Sequence, residues 1–299
     1  RTPVAVSTVA ASEIEFKLGG QEFPEILKST PGVYVTKDGG GYGDSKINMR
    51  GFKSANIAVM INGVPVNDME WGGLYWSNWA GLSDVTRSMQ TQRGMGASKI
   101  SSPSVGGTIN IVTNTIDAKR GGSVSYGVGN DGANTMSVSL STGLMDNGWA
   151  ASLLLAKRWG DGYIQGTGYE GYNWFVNVSK RINSNHQLSL TAFGAPQKHN
   201  QRKPLYAGLS IEEWDKVAKW TGEKNKYRYN AVYGFDNNGK ERSSMTNEDH
   251  KPQISLNHQW QFERKSSLST ALYMSIGRGS GYSGQGRTSA DRAMWNGSS

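Results

Sequence analysis

From about residue 120 to residue 276 the chain alternates apolar and polar residues with a period of two. That pattern constrains its fold more than any other feature. Val124, Tyr126 and Val128 fall on one face and Ser123 and Ser125 on the other. Met136, Val138 and Leu140 alternate with Ser137, Ser139 and Ser141, and residues 149–156 form a more apolar run. Trp174, Val176 and Val178 alternate with Asn173, Asn177 and Ser179, and Leu188 and Leu190 with Ser189 and Thr191. Ile254, Leu256, Trp260 and Phe262 follow the same rule, as do Leu268, Leu272, Met274 and Ile276. Successive side chains of a strand point to opposite faces, so each run predicts a strand with one apolar face. About seven antiparallel strands result, each near the length that a tilted membrane-spanning strand needs.

The connections sharpen this expectation. Residues 146–148, 183–185 and 264–266 are tight turns, whereas 159–170, 195–250 and the stretch from 277 onward are long; 130–133 is a short exception. Short turns at one end and long loops at the other mark membrane barrels, with the long loops outside. Trp149, Trp159, Tyr172, Trp174 and Trp260 lie near strand ends, where interfacial aromatic girdles form. A soluble β-sandwich would not segregate its loops by length. About seven strands leave two open edges whose amides would be unpaired in a bilayer. The barrel is therefore expected to continue beyond residue 299. Within the long connection, Ser210 and Glu213 form a capping box ahead of Ile211, Trp214, Val217 and Ala218, which predicts a short amphipathic helix.

Composition fits. Mean hydropathy is −0.55 and no apolar run is long enough for a membrane helix, but barrel strands keep mean hydropathy low. There is no cysteine, so disulfides and thiolate metal sites are excluded. The formal charge of +8 is dispersed. Lys119, Arg120, Lys157, Arg158, Lys180 and Arg181 lie near strand ends, either against lipid phosphates or as solvated turn charges. No block of like charge suggests nucleic acid as a partner. Histidines 186, 199, 250 and 258 are scattered, and the Gly279-x-Gly281-x-x-Gly284 pattern lacks a surrounding βαβ unit. No catalytic residue, metal site or cofactor is expected, and the chain does not read as an enzyme.

Residues 1–117 differ from residues 118–299 and read as a small α+β domain. Ser12 with Glu15 suggests one short helical turn and 22–28 a second, ended by Thr30-Pro31-Gly32. Strands are expected at 33–36, 46–50, 57–61, 64–66, 85–93 and 108–113, with Asn62-Gly63 as a two-residue hairpin turn.

Five ordered motifs lie in this half: Thr30-Pro31-Gly32-Val33; Ile47-Asn48-Met49-Arg50-Gly51-Phe52; the run from Val59 to Val66 through Asn62-Gly63; Gln92-Arg93-Gly94 with Gly96-Ala97-Ser98; and the run from Val105 to Thr113 through Gly106-Gly107. In this order they resemble the plug domain of TonB-dependent outer-membrane receptors of Gram-negative bacteria. The resemblance covers 1–117 by motif and 118–299 by strand pattern only. It implies a plug threaded into a barrel of about 22 strands. It implies that Arg50 and Arg93 face barrel-wall carboxylates beyond residue 299, where a guanidinium can pair bidentately; the alternative is a pair of arginines in surface turns. It also implies that Asp68, Glu70, Trp71, Tyr75, Trp76 and Trp79 belong to a plug loop facing the outer vestibule, where aromatics stack on sugars or planar chelates. Alternatively, those aromatics pack the plug against the wall.

Functionally, the resemblance implies energised uptake of a ligand across the outer membrane, with TonB and the ExbB/ExbD complex as partners. Lipopolysaccharide would surround the barrel, and a surface lipoprotein could pair with it. The rival is a non-transporting plugged barrel serving as a docking subunit of a larger complex. Iron chelate, cobalamin, glycan and peptide ligands all stay open.

Overall fold

The computed structural model describes residues 6–18, 22–37, 42, 45–68, 72–79, 81–93, 105–113, 116–203 and 208–282. The first part contains β1 (Val6–Ala10), α1 (Ala11–Leu18), a 3-10 helix at Phe23–Ser29, β2 (Val33–Thr36), β3 (Lys46–Met49), β4 (Ile57–Ile61) and β5 (Val64–Pro65). Two further 3-10 turns, Trp76–Trp79 and Leu82–Val85, precede β6 (Thr86–Arg93) and β7 (Gly107–Thr113). The helix expected at 22–28 is present but 3-10, with Glu22 and Glu25 forming its capping box and a proline in its first turn. α1 starts at Ala11, so Ser12 lies inside it rather than capping it.

The five-stranded sheet has the order β1-β6-β7-β4-β5, with β4 parallel to β7 and the other pairs antiparallel. Strand β4 is buried along its whole length. Ile57, Val59 and Ile61 join Ile109, Ile111, Met89, Leu27 and Ile14 in the core.

The motif residues explain how this sheet closes. Asn62 and Gly63 both take positive φ, as a type I′ turn requires. The Asn62 side chain donates to Thr113 Oγ1 at 2.8 Å and accepts from the Thr113 N–H at 2.9 Å. Asn67 accepts from the Val59 N–H and donates to the carbonyls of Ile57 and Gly72, pinning the chain beyond β5 back to β4. A Cβ on Gly106 would lie 2.8 Å from Phe52 Cβ and 2.9 Å from the Asn56 carbonyl. The fifth motif therefore packs closely on the end of the second, Gly106 against Phe52.

The second part runs β8 (Gly121–Val128), β9 (Asn134–Ser141), β10 (Trp149–Gly160), β11 (Tyr169–Arg181), β12 (His186–Gly194), β13 (Gln197–Asn200), α2 (Ile211–Thr221), β14 (Tyr233–Phe235), β15 (Glu241–Ser243), β16 (Thr246–His250), β17 (Gln253–Glu263), β18 (Ser266–Ser275) and β19 (Arg278–Tyr282). The seven strands expected from alternation form one antiparallel sheet, ordered β18-β17-β12-β11-β10-β9-β8. The helix α2 has the expected Ser210–Glu213 capping box and stops at Gly222, in the left-handed region.

The long connection differs from expectation. Its two ends are strands: β13 pairs with β11 and β16, and β16 pairs with β19. These continue β12, β17 and β18 across breaks at residues 195–196, 251–252 and 276–277. Pro196 and Pro252 lie in the first two breaks. Proline has no N–H to give the ladder, so it splits a strand's hydrogen bonding without ending its course. The wall therefore extends toward the long-loop end beyond the apolar band.

Register sorts the two faces of this sheet. Val124, Val138, Leu155, Trp174, Val176, Leu190, Leu256 and Leu272 lie on one face, most of them exposed. Ser125, Ser137, Asn173, Asn177, Ser179, Ser189, Thr191 and Ser255 lie on the other. The outward face is thus an apolar band and the inward face a polar lining.

Candidate functional site at the plug–wall interface

The lining of the sheet is bonded within itself. Asn177 donates to Ser189 Oγ and Thr191 Oγ1, both at 2.9 Å, and Ser179 bonds Asn177 Oδ1 at 2.8 Å. All four are buried. Three large apolar residues interrupt it: Leu154, Phe175 and Phe193, at 1 %, 1 % and 3 % exposure. These positions receive the first part of the chain. Trp79, Leu82 and Val85, from the two 3-10 turns before β6, pack onto them, and only about 10 Å³ of cavity remains between. The Trp79 ring meets Phe193 edge-on at 5.6 Å. Leu154 of β10, Phe175 of β11 and Phe193 of β12 are therefore the wall's seat for the first domain.

Polar contacts flank this seat. Asp84 and Arg158 form an ion pair at 3.7 Å, with side chains 25 % and 17 % exposed. Burial pushes the Asp84 carboxyl above its ordinary pKa, and the Arg158 charge draws it partly back. Arg158 thus points inward to the plug, not toward lipid phosphates. Its neighbour Lys157 points outward and pairs with Glu170 at 3.3 Å. Tyr42 stacks on Tyr169 at 4.6 Å and meets His199 edge-on at 5.5 Å. Burial raises the Tyr42 phenol well above its usual pKa.

Two glycines permit the approach, one on each side. A Cβ on Gly171 of β11 would overlap the Tyr42 hydroxyl, and one on Gly81 would overlap the Asn173 side chain. Gly81 also has φ of 77°. Gly81→Val is expected to destabilise the seated plug by at least about 1–2 kcal/mol from backbone strain alone. Faster digestion of residues 1–117 by a soluble protease in the folded full-length protein would show it; unchanged digestion would refute it.

The residues singled out from sequence are distributed as follows. Arg50 has φ of 52° and, with Gly51, makes the turn that returns Met49 to Phe52. Its side chain is exposed. Arg93 pairs with Gly107 through its backbone, and its side chain is outside the described residues. Glu70 and Trp71 also lie outside them. Tyr75 is 58 % exposed and Asp68 half-buried. Trp76 and Trp79 are buried, Trp76 tilted against Phe23 at 5.9 Å and Trp79 against Phe193. Those two tryptophans make packing contacts, and Tyr75 is the described aromatic of the loop that stays open to solvent. Asp84, Tyr42 and the apolar seat were not singled out from sequence, and Arg158 was named only as one of the charges near strand ends.

Residues 1–108 match the family model of the TonB-dependent receptor plug domain. The chain is 28 % identical over 197 residues to the vitamin B12 transporter BtuB of Photobacterium profundum, covering 63 % of this chain and 32 % of that protein. It is 28 % identical over 120 residues to the ferric enterobactin receptor PirA of Pseudomonas aeruginosa, covering 36 % of this chain and 16 % of the receptor. Among solved structures, the unliganded ferric citrate transporter FecA superposes with a TM-score of 0.70 at 17 % identity, over 95 % of this chain and 41 % of that one. The ferric yersiniabactin uptake receptor FyuA of Yersinia pestis superposes with a TM-score of 0.67 at 17 % identity, over 94 % and 42 %. At such identities the structural likeness shows the fold alone. The chain spans about a third of the length of the vitamin B12 transporters it matches. With the plug matched by sequence and the plug-on-wall arrangement matched by fold, the chain carries the plug domain of the TonB-dependent receptors and is similar to those receptors in fold beyond it.

Proposed function

We propose that the whole protein is an uptake receptor that admits a ligand across the outer membrane when TonB, energised by ExbB/ExbD, pulls on the plug. Residues 1–117 are the plug in this reading and residues 118–299 the first strands and loops of the barrel. The observation that carries it is the interface itself. Among the described residues the plug meets the wall through a compact apolar seat flanked by the Asp84–Arg158 ion pair and the Tyr42–Tyr169 stack, a closely packed contact of the kind a plug needs to seal the lumen. The relatives named for vitamin B12 and ferric siderophores support uptake as the task. Ligand contact is assigned to the loop holding Asp68, Glu70, Trp71 and Tyr75, with Trp76 and Trp79 anchoring its base.

The test is independent of the ligand. The full-length protein is expected to retain the purified periplasmic domain of TonB in a pull-down, and to lose it when the segment before the plug is deleted. Absence of binding in both forms would favour the docking subunit over the receptor.

Arg50 and Arg93 are proposed to hold the plug against wall carboxylates. If so, replacing both with Ala raises ion leakage through the full-length barrel in planar bilayers without blocking assembly. Double Lys would restore closure in part, lacking the bidentate fork. Closed conductance equal to wild type in the double Ala protein would mark them as ordinary turn residues.

A further inference from the structure

Two histidines that look scattered in sequence, 72 positions apart, meet on the wall. His186 opens β12 directly after the tight turn at 183–185, and His258 lies within β17. Register pairs His186 with Trp260 and Leu188 with His258, so the two histidines are diagonal neighbours across the ladder. His186 has the parity of Leu188 and Leu190, and His258 that of Ile254 and Leu256. Both therefore project from the outward face, at its tight-turn end, and both are half-buried. His186 Nδ1 and His258 Nε2 are 3.0 Å apart, with the two rings within 4° of parallel. Trp260 lies beside the His186 ring at 5.4 Å, and Phe262 tilts against Trp260 at 5.1 Å.

The backbone holds both rings in place. Asn183 Oδ1 accepts from the His186 N–H at 2.9 Å, and the His186 carbonyl accepts from the Ile182 N–H at 2.9 Å. His258 belongs to a strand paired on both sides, with β12 and with β18. The freedom left to each ring is chiefly χ2, which is broad for histidine. Lys180, the outward cation of the adjoining β11, donates to the Asn147 carbonyl and sits 5.0 Å from the centre of the Trp149 ring. It is thus turned toward β10, away from the pair.

Two facing imidazole nitrogens can share a proton or a metal ion. Each neutral ring carries one proton. With those protons on His186 Nε2 and His258 Nδ1, both facing nitrogens present lone pairs, and the pair gains and loses no proton overall. Metal–imidazole bonds are about 2.0–2.1 Å, so two of them ending on nitrogens 3.0 Å apart meet at roughly 95°. That is the angle between adjacent ligands of a tetragonal ion and is narrower than a tetrahedral one. Rotation of the rings about χ2 turns both lone pairs onto an ion beside the line joining them. Imidazole donors in tetragonal geometry suit Cu2+ and Ni2+, and Cu2+ binds more tightly of the two. Calcium and magnesium need oxygen donors, which this pair does not supply. Among the described residues no set of three histidine, cysteine or carboxylate side chains converges to hold a metal. The ion therefore keeps its other positions for water.

We infer that His186 and His258 form a two-histidine site for a tetragonal divalent transition ion, Cu2+ above all, on the outer wall at the tight-turn end. The site lies outside the lumen, so its ion is not the cargo of uptake. Bound there, the ion cross-links β12 to β17 near the turn where β12 begins.

The experiment titrates the full-length protein, in maltoside micelles and a non-chelating buffer at neutral pH, with Cu2+ and reads it by electron paramagnetic resonance. The first equivalent bound to wild type is expected to show splitting from two nitrogens. His186→Phe and His258→Leu, apolar replacements suited to this face, are each expected to weaken that equivalent about a hundredfold. The second imidazole acts at the high effective concentration that the neighbouring strand fixes, and each variant forfeits it. Heat-shifted migration equal to wild type would show that the variants assemble. His250→Ala, at the long-loop end, should leave the first equivalent unchanged. Excess Ni2+ should displace Cu2+, and excess Mg2+ should not. Equal Cu2+ binding by wild type and both variants would reduce the pair to a hydrogen bond between two rings and overturn the site. Splitting from a single nitrogen in wild type would overturn the paired geometry without recourse to any variant. Displacement by Mg2+ would overturn imidazole as the donor.

Discussion

Trp79→Ala in the full-length protein is expected to cost the seated plug about 3–5 kcal/mol, the range for deleting a buried large aromatic side chain. Trp79 is 2 % exposed, and the residual cavity beside it is only about 10 Å³. The wall side of the seat is a sheet fixed by its ladder, so it cannot collapse to fill the void. Trp79→Phe should cost far less. It keeps a ring against Phe193, and it removes an indole N–H that is buried without a hydrogen-bond partner among the described residues. Release of the plug by urea, followed by protease access to residues 1–117, measures both. Equal urea midpoints for wild type and Trp79→Ala would mean that the seat does not hold the plug.

The second large effect concerns the charges beside that seat. Arg158→Met leaves the Asp84 carboxylate in a poorly solvated site without its counter-charge, and breaking one side of such a pair costs about 3–5 kcal/mol. Asp84→Leu combined with Arg158→Met should lose much less, because a paired charge and an apolar pair of similar volume are close in free energy. The pH dependence follows from the raised pKa of Asp84. A carboxyl whose pKa is raised on seating stabilises the seated plug below that pKa, and the contribution is lost as pH rises through it. Without Arg158 the pKa rises further. The Arg158→Met defect should therefore shrink when pH falls from 7 toward 5, as Asp84 takes up a proton. A defect that is constant over that range, or a double variant as weak as the single one, would contradict the assignment.

Physical patterns in the sequence explain how much of the molecule was legible. Alternation identified the seven strands of the sheet because one face of each meets apolar surroundings and the other polar, and period two records that directly. The Asn62-Gly63 turn and the Ser210–Glu213 cap were legible because each is local chemistry of a few consecutive residues. The strands β13, β16 and β19 were not. They are short and polar on both faces, as a wall above the membrane must be, so no alternation marks them, and only pairing with distant neighbours makes them strands.

The site divides in the same way. Glycines and arginines of the plug motifs stand out in sequence because they recur in a fixed order, but sequence could not say which side chains reach the wall. The Arg50 side chain is exposed, while Asp84 and Arg158, 74 positions apart in sequence, form the described ion pair between plug and wall. The signal for the seat was present as an irregularity. Leu154, Phe175 and Phe193 put large apolar groups on a face otherwise made mostly of small and polar residues. A strand pattern states that such residues need cover. It cannot name what covers them, because that depends on how a domain about 70 to 110 residues away in sequence comes to rest against the sheet. The sequence by itself determined the strands, their faces and the family motifs, since these depend on near neighbours and a two-residue repeat. The tertiary structure alone decided that Trp79, Leu82 and Val85 meet Leu154, Phe175 and Phe193, because burial of an apolar patch is satisfied only by the one surface shaped to exclude water from it.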